Sequence, residues 1–271
     1  MKKFAVIGSP VSHSLSPQIH STFAEQNNLQ ISYEAIEVKE KDFLTKVDNL
    51  FNEGYIGLNI TLPLKEAAFK YAKVTSERAL LAESVNTLCV KGESIYGDTT
   101  DGAGLLKDFD EKNITVKDSK VVLIGAGGSA KAILPSLISA KPRSIYLINR
   151  TYEKAVILEK KYKPIYPNIE AFEVDNELNV DADLIINSSS AGTIKKKLVM
   201  PKNLFGSESK AKVYDLSYSK KETAFNLYAQ KCGVNEIYDG LGMLVHQAAL
   251  SFEIWNNLRP NTLQIEQNLR A

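Results

Sequence analysis

The strongest constraint on the fold is Val121-Val-Leu-Ile124, four consecutive apolar residues that run straight into Gly125-Ala126-Gly127-Gly128-Ser129-Ala130 and then into a helical pattern over 129–139. A short apolar run that ends in a glycine turn and opens a helix is the strand–turn–helix unit of an α/β sheet. In the spacing G-x-G-x-x-A the first glycine allows the tight turn, the second lets a phosphate approach the backbone, and the small third residue permits close helix packing. Residues Gly125 to Ala130 are therefore expected to grip the pyrophosphate of a dinucleotide. The bare motif is weak; the strand before it and the helix after it give it weight.

Strand and helix signals alternate from end to end, which points to α/β architecture with mainly parallel sheets. The first part reads as a strand over 4–7, a helix from Ser16-Pro17 to about 27, a strand over 33–38, a helix over 41–52 stopped by Gly54, and a strand over 57–61. A bridging helix over 101–113 leads into a second run, with strands over 121–124, 144–148, 172–174, 184–187 and 212–216 and helices over 129–139 and 152–162. That order is Rossmann-like. Past Gly240 the pattern turns helical, with Leu244, Ala248, Leu250, Phe252 and Trp255 on one apolar stripe and a last short helix from Thr262. The expected architecture has two domains: 1–101 with 241–271 for substrate and catalysis, and 102–240 for the dinucleotide, the C-terminal helices returning to the first.

With 271 residues, 44% of them hydrophobic, the chain can bury two cores, and a net charge of +1 does not advertise nucleic acid. The apolar start over 4–7 stops at Gly8, too soon for a signal peptide, and no run is long enough to span a membrane. Cys89 and Cys232 have no CxxC company, so no disulfide framework is expected and a reducing cytoplasm is the natural compartment. His13, His20 and His246 lack metal-ligand spacing, so no metal site is expected, and no GxSxG elbow marks a nucleophile.

The dinucleotide type follows from the end of the next strand, Ile145-Tyr-Leu-Ile-Asn149-Arg150-Thr151, where an NAD enzyme usually presents a carboxylate to the ribose. None stands there. Asn149, Arg150, Thr151 and Lys154 offer donors and positive charge suited to the 2′-phosphate of NADP(H), although a cap at Thr151 with two solvated cations is the plainer alternative.

Two further stretches carry proton chemistry. Asn59-Ile-Thr61-Leu-Pro63-Leu-Lys65 and Gly97-Asp-Thr-Thr-Asp101-Gly102 place a lysine and a carboxylate on turns, and a positioned Lys–Asp pair suits reversible hydride transfer, which must move one proton to or from the substrate oxygen. Taken alone, Lys65 would be a solvated surface lysine. Ser12-His13-Ser14-Leu15-Ser16-Pro17 sits where a first helix begins and suits a carboxylate or phosphate, while capping by Ser16 explains it equally well.

The ordered landmarks Ser14-Leu-Ser16, Asn59 to Lys65, Val85-Asn86-Thr87, Gly97 to Gly102, Gly125 to Ala130, Asn149-Arg150-Thr151, Asp215-Leu-Ser-Tyr218 and Asp239-Gly240 through Gln247 resemble those of the shikimate dehydrogenases over essentially the whole chain. The resemblance implies reversible NADPH-dependent reduction of 3-dehydroshikimate to shikimate, on the way to chorismate and the aromatic amino acids. It implies Lys65 as acid/base with Asp101 as partner, both also touching substrate hydroxyls. Ser14, Ser16 and Tyr218 would hold the substrate carboxylate, and Thr61, Asn86 and Gln247 the ring hydroxyls. Leu216 and Gly240 would border the nicotinamide, with Glu77 towards the cofactor side, in a monomer or homodimer.

Some positions depart from the pattern that the resemblance brings. Asn187-Ser-Ser-Ser-Ala-Gly192-Thr193 lacks a stiffening proline, Thr99 replaces asparagine, Glu83-Ser84 replace Gly-Ala, and Lys220 replaces a proline. Two other readings are weighed beside the main one. One is an NAD-dependent quinate/shikimate dehydrogenase, which Asn149-Arg150-Thr151 oppose; the other is an idle NADP or metabolite sensor, which an intact Lys65 and Asp101 oppose.

Overall fold

The computed structural model describes residues 1–176, 178, 180–189, 200–205 and 210–270. The chain forms two compact units, one of 1–104 with 244–271 and one of 105–243. Each break falls three residues beyond the sequence estimate, inside a helix rather than at its start.

In the first unit come β1 (Lys2–Gly8), α1 (Ser16–Gln26), β2 (Ile31–Glu37), α2 (Phe43–Asn52), β3 (Tyr55–Ile60), α3 (Lys65–Tyr71), β4 (Val74–Thr75), α4 (Glu77–Ala82), β5 (Thr87–Lys91) and β6 (Ser94–Asp98), before α5 (Asp101–Glu111) crosses the first break. The helix expected over 41–52 starts as a 3-10 turn at Glu40–Asp42. The strands order as β2-β1-β3-β5-β6-β4. Pairing is mainly parallel, as expected, and β5 is the exception, running antiparallel to both β3 and β6. The reversal into β6 is local: Lys91 pairs with Ser94 across the two-residue turn Gly92-Glu93, and Gly92 supplies the positive φ of +60° that so tight a turn demands.

Alternation along β1 decides what covers the sheet. Ala5 and Ile7 point into a core with Phe43, Val47 and Leu50 of α2. Phe4 and Val6 point the other way, where Phe4 stacks on Trp255 at 4.7 Å. On that second side Ile19 and Phe23 of α1 pack with Val245, Ala248 and Phe252.

The second unit contains β7 (Lys120–Ile124), α6 (Gly128–Ser139), β8 (Ser144–Ile148), α7 (Tyr152–Tyr162), β9 (Ile169–Phe172), β10 (Leu184–Asn187), β11 (Lys212–Asp215), α8 (Ala224–Lys231) and β12 (Ile237–Asp239). Its sheet, β12-β11-β10-β7-β8-β9, is parallel throughout. Val121 and Leu123 face Ile133, Leu134 and Leu137 of α6, while Val122 faces Phe225 and Ala229 of α8. A strand buried on both faces needs the unbroken apolar run that made β7 legible. The strand expected over 172–174 lies earlier, because β9 pairs residue for residue with β8 from Ile145↔Ile169 to Ile148↔Phe172 and has no partner beyond. Finally α9 (Leu241–Asn256) crosses the second break and α10 (Ile265–Arg270) follows.

Candidate active site

Lys65 is placed by the end of a strand. Thr61 N–H still donates to Ile7 O at 2.9 Å, Leu64 N–H then donates back to Thr61 O at 3.0 Å, and α3 opens with Lys65 itself. Pro63, which has no N–H to give a sheet, sits inside that turn. Val85 N–H donates to Lys65 O at 3.1 Å, tying the lysine backbone to the segment that carries Asn86.

Lys65 is 8% exposed, and its side chain donates to Asp101 Oδ2 at 2.6 Å. A positive charge at a helix start is disfavoured by the dipole, whereas Asp101, in the first turn of α5, sits at a helix start that favours it. The two charges are thus strongly dependent on each other, and removal of one leaves the other buried without its counterion. The second oxygen of Asp101 accepts from Asn86 Nδ2 at 2.9 Å. The same amide nitrogen lies 3.1 Å from Gln247 Oε1, whose own amide nitrogen donates to Leu244 O at 2.8 Å. Lys65, Asp101, Asn86 and Gln247 therefore form one bonded cluster. It offers an ammonium, a carboxylate and two amides, the groups needed to hold hydroxyls and pass a proton.

Ser14 Oγ donates to Ser16 Oγ at 3.1 Å and accepts from Ser16 N–H at 3.2 Å. The Ser16 side chain does not cap α1; Ser14 Oγ takes the Ser16 N–H and Pro17 has none, so the pair of serine hydroxyls, rather than a row of free N–H groups, is what this helix start offers an anion. Thr61 stands half-buried past the end of β3. Glu77 is exposed in the first turn of α4, in the first unit, whereas the glycine turn belongs to the second.

In the second unit Gly125 has φ +110° and donates its N–H to Ile148 O at 2.7 Å; a Cβ there would lie 2.5 Å from Ser188 Oγ. Gly127 has open space where a Cβ would stand, and α6 begins beyond it with no side-chain cap. Gly128 and Ser129 form the half-buried start of α6, and Ala130 is fully buried beneath it. Asn149 Oδ1 accepts from Ala126 N–H at 3.2 Å while its Nδ2 donates to Thr151 O at 2.8 Å, so the asparagine knits the glycine turn to the next loop. Arg150, Thr151 and Lys154 are exposed, and the Thr151 side chain does not cap α7. An open glycine turn with basic side chains nearby fits the phosphates of a dinucleotide.

Tyr218 and Leu216 are half-buried on the segment after β11. A Cβ on Gly240 would lie 2.2 Å from Leu216 O, so only glycine allows the two strands' ends to approach, and Gly240 N–H donates to Ser217 O at 3.0 Å. Beneath them Asp215 accepts from Asn187 Nδ2 at 3.0 Å and Ser217 N–H at 3.1 Å. Burial pushes its carboxyl up to about 6, against the opposing pull of these donors and of Thr223. The altered loop over 187–193 lies outside the described residues beyond Ser189.

Sequence reasoning missed the groups behind the cluster: Asn59, Thr87, Thr100, Ser251 and Tyr33, all buried and hydrogen-bonded. One signal was available, a polar Asn59 inside the otherwise apolar β3 and a Ser251 on the apolar stripe of α9. Two departures also gain a physical reading. The hydroxyls of Ser84 and Thr99 are buried without a hydrogen-bond partner among the described residues, and Glu83 holds φ +50° where glycine is at home.

Comparison with known proteins bears on the same residues. Residues 6–88 match the family described as shikimate dehydrogenase substrate binding domain, 108–217 match shikimate / quinate 5-dehydrogenase, and 240–270 match the shikimate 5'-dehydrogenase C-terminal domain. A protein of Legionella pneumophila (strain Lens) named shikimate dehydrogenase (NADP(+)) is 41% identical over 272 residues, covering 100% of this chain and 99% of the relative. One of the same name from Psychromonas ingrahamii is 42% identical over 277 residues, covering 100% and 98%. The crystal structure of shikimate 5-dehydrogenase from Thermus thermophilus in complex with NADP(H) and shikimate superposes with a TM-score of 0.87 at 30% identity, covering 100% of this chain and 99% of that one.

Proposed function

Since the chain belongs to the shikimate dehydrogenase family, an NADP-dependent oxidoreductase family of aromatic amino acid biosynthesis, we propose that Lys65 and Asp101 are its proton-handling pair in the reversible reduction of 3-dehydroshikimate to shikimate. The observation that carries this reading is the buried 2.6 Å contact between Lys65 Nζ and Asp101 Oδ2, roofed by the amides of Asn86 and Gln247.

The first unit binds substrate and the second binds NADP(H) in this reading. Ser14 and Ser16, whose hydroxyls meet at the start of α1, hold the substrate carboxylate together with Tyr218, while Thr61, Asn86 and Gln247 take the ring hydroxyls. Gly125 to Ala130 hold the pyrophosphate and Asn149, Arg150, Thr151 and Lys154 the 2′-phosphate, with Leu216 and Gly240 bordering the nicotinamide and Glu77 on the cofactor side. Bound NADPH supplies the hydride. Lys65 Nζ gives a proton to the substrate carbonyl oxygen as that carbon is reduced, and takes the hydroxyl proton back in the reverse direction. Asp101 holds the ammonium in place and keeps its charge compensated in a site with little water. No helix among the described residues is long and apolar enough to cross a membrane. Both cysteines are free thiols, and the reading extends to a monomer or homodimer in a reducing cytoplasm.

Initial rates of oxidation of shikimate and of quinate, each with NADP+ and with NAD+, test the whole reading. Strong preference for shikimate with NADP+ is expected. Equal rates with NAD+ would remove the role given to Arg150, and binding without turnover would make the chain a sensor.

A further inference from the structure

The cluster around Lys65 rests on a second layer of buried polar groups, in which backbone groups fix the orientation of two amides. Asn59 and Asn86 each have an amide that could in principle face either way. In both cases a backbone group removes the ambiguity. Thr100 N–H, which can only donate, lies 2.9 Å from Asn86 Oδ1, so the oxygen of Asn86 faces Thr100 and its nitrogen faces Asp101. Asn86 C=O, which can only accept, lies 3.1 Å from Asn59 Nδ2, so the nitrogen of Asn59 faces the cluster; its oxygen accepts from Tyr33 Oη–H at 2.7 Å.

Between the two amides stand two hydroxyls. Asn59 Nδ2 donates to Ser251 Oγ at 3.0 Å and approaches Thr87 Oγ1 at 3.3 Å, and the two hydroxyls are 2.7 Å apart. Thr87 Oγ1–H donates to Asn86 Oδ1 at 2.9 Å, filling the second lone pair of the oxygen that Thr100 N–H already occupies. With its oxygen so engaged, Asn86 has only donors left to offer the Asp101 carboxylate. A rotated amide would set its oxygen against that carboxylate and turn its nitrogen towards Thr100 N–H, leaving that donor buried without an acceptor. The whole layer is buried: Thr87 and Ser251 are fully enclosed, and Asn59 is 6% exposed.

We propose that Thr87 is a positioning residue of the active site. Through its hydroxyl, with Ser251 and Asn59 behind it, it joins Thr100 N–H in fixing the Asn86 amide so that a donor faces Asp101, and so keeps Asp101 aimed at Lys65. Thr87 lies on β5, shielded from substrate by Asn86 itself in this chain of bonds, and acts only through that amide. The inference rests on the proposed role of the Lys65–Asp101 pair.

The test uses Thr87→Val, which keeps shape and removes the hydroxyl, beside Thr87→Ser, which restores it, and Lys65→Met as a reference for the pair itself. Thr87→Val is expected to lower kcat for shikimate oxidation by about tenfold and to move the acid limb of the rate profile, because the amide that positions the Lys65–Asp101 pair loses one of its two anchors. Thr87→Ser should return both the rate and the limb. A merely structural threonine would lower the melting temperature and leave the limb where it is, and that outcome overturns the proposal. If Thr87→Val does not fold, Ser251→Ala reports on the same chain one bond further back: a smaller shift of the limb in the same direction supports the proposal, and an unmoved limb sinks it. Full activity of Lys65→Met would instead bring down the reading of the pair, an outcome distinguishable from an ineffective Thr87→Val in an enzyme that needs its lysine.

Discussion

Single side chains here carry opposite kinds of consequence depending on whether their polar atoms are engaged. Lys65 is buried against a carboxylate, and Lys65→Met should lower the rate of shikimate oxidation by roughly a thousandfold while leaving the affinity for NADP+ within about twofold, measured by initial rates and by fluorescence titration. A matching loss of affinity would move Lys65 out of the role assigned to it. Ser84 is the reverse case, a buried hydroxyl with no partner among the described residues, so Ser84→Ala should raise the unfolding free energy by about 1 kcal/mol in a denaturant titration. His20 belongs to the same group: neither ring nitrogen makes a hydrogen bond, Tyr33 stacks on it at 4.3 Å, and burial holds its pKa down at about 3 against a weaker pull from the Asn59 amide. It is an aromatic core residue, and nothing in its sequence context said so.

At the scale of elements, the ends of β10 and β11 meet at Asp215, which ties Asn187, the turn carrying Leu216 to Tyr218, and Thr223, whose hydroxyl accepts from Asn226 N–H at the start of α8. Its raised carboxyl has a definite sign. Between the ordinary value near 4 and about 6 the folded chain holds this proton more tightly than the unfolded one, so this contribution to stability is present at low pH and is lost as pH rises through 6. Asp215→Asn should therefore look better relative to the wild type at pH 8 than at pH 4.5, by about 2 kcal/mol in unfolding free energy, and a pH-independent difference would contradict the burial argument. Elements were legible in proportion to how much of their pattern was set locally. The strand β7 and the turn at Gly125 were readable because burial on both faces and a positive φ leave few residue choices. The β5–β6 hairpin was missed because its only local mark is Gly92, and the antiparallel pairing of β5 with β3 depends on partners distant in sequence. In the site, Lys65 and Asp101 were proposed through their turns and through resemblance, whereas Thr87, though inside a landmark, was given no role and Ser251 lies in none, and the two become meaningful only when the fold brings their hydroxyls to 2.7 Å.

For the molecule as a whole, two units with separate cores predict separate responses to ligands. Hydrogen exchange with NADP+ alone should protect amides of the glycine turn and of Asn149 to Lys154, within 105–243, and shikimate alone should protect the starts of α1 and α3, within 1–104. Protection in the opposite units would reverse the assignment of substrate and cofactor. The order of the two units along the chain has a further effect during synthesis. Phe23 and Ile19 of α1 emerge from the ribosome early, but the residues that cover them, Val245, Ala248 and Phe252, come only after every residue of the second unit. The core on the α2 side can close within about the first ninety residues, but the α1 side of the same unit must wait, uncovered, while a complete parallel sheet is built downstream. For the growing chain this interval, rather than anything in the finished enzyme, is the moment of greatest exposure to aggregation and the natural point for a chaperone to act.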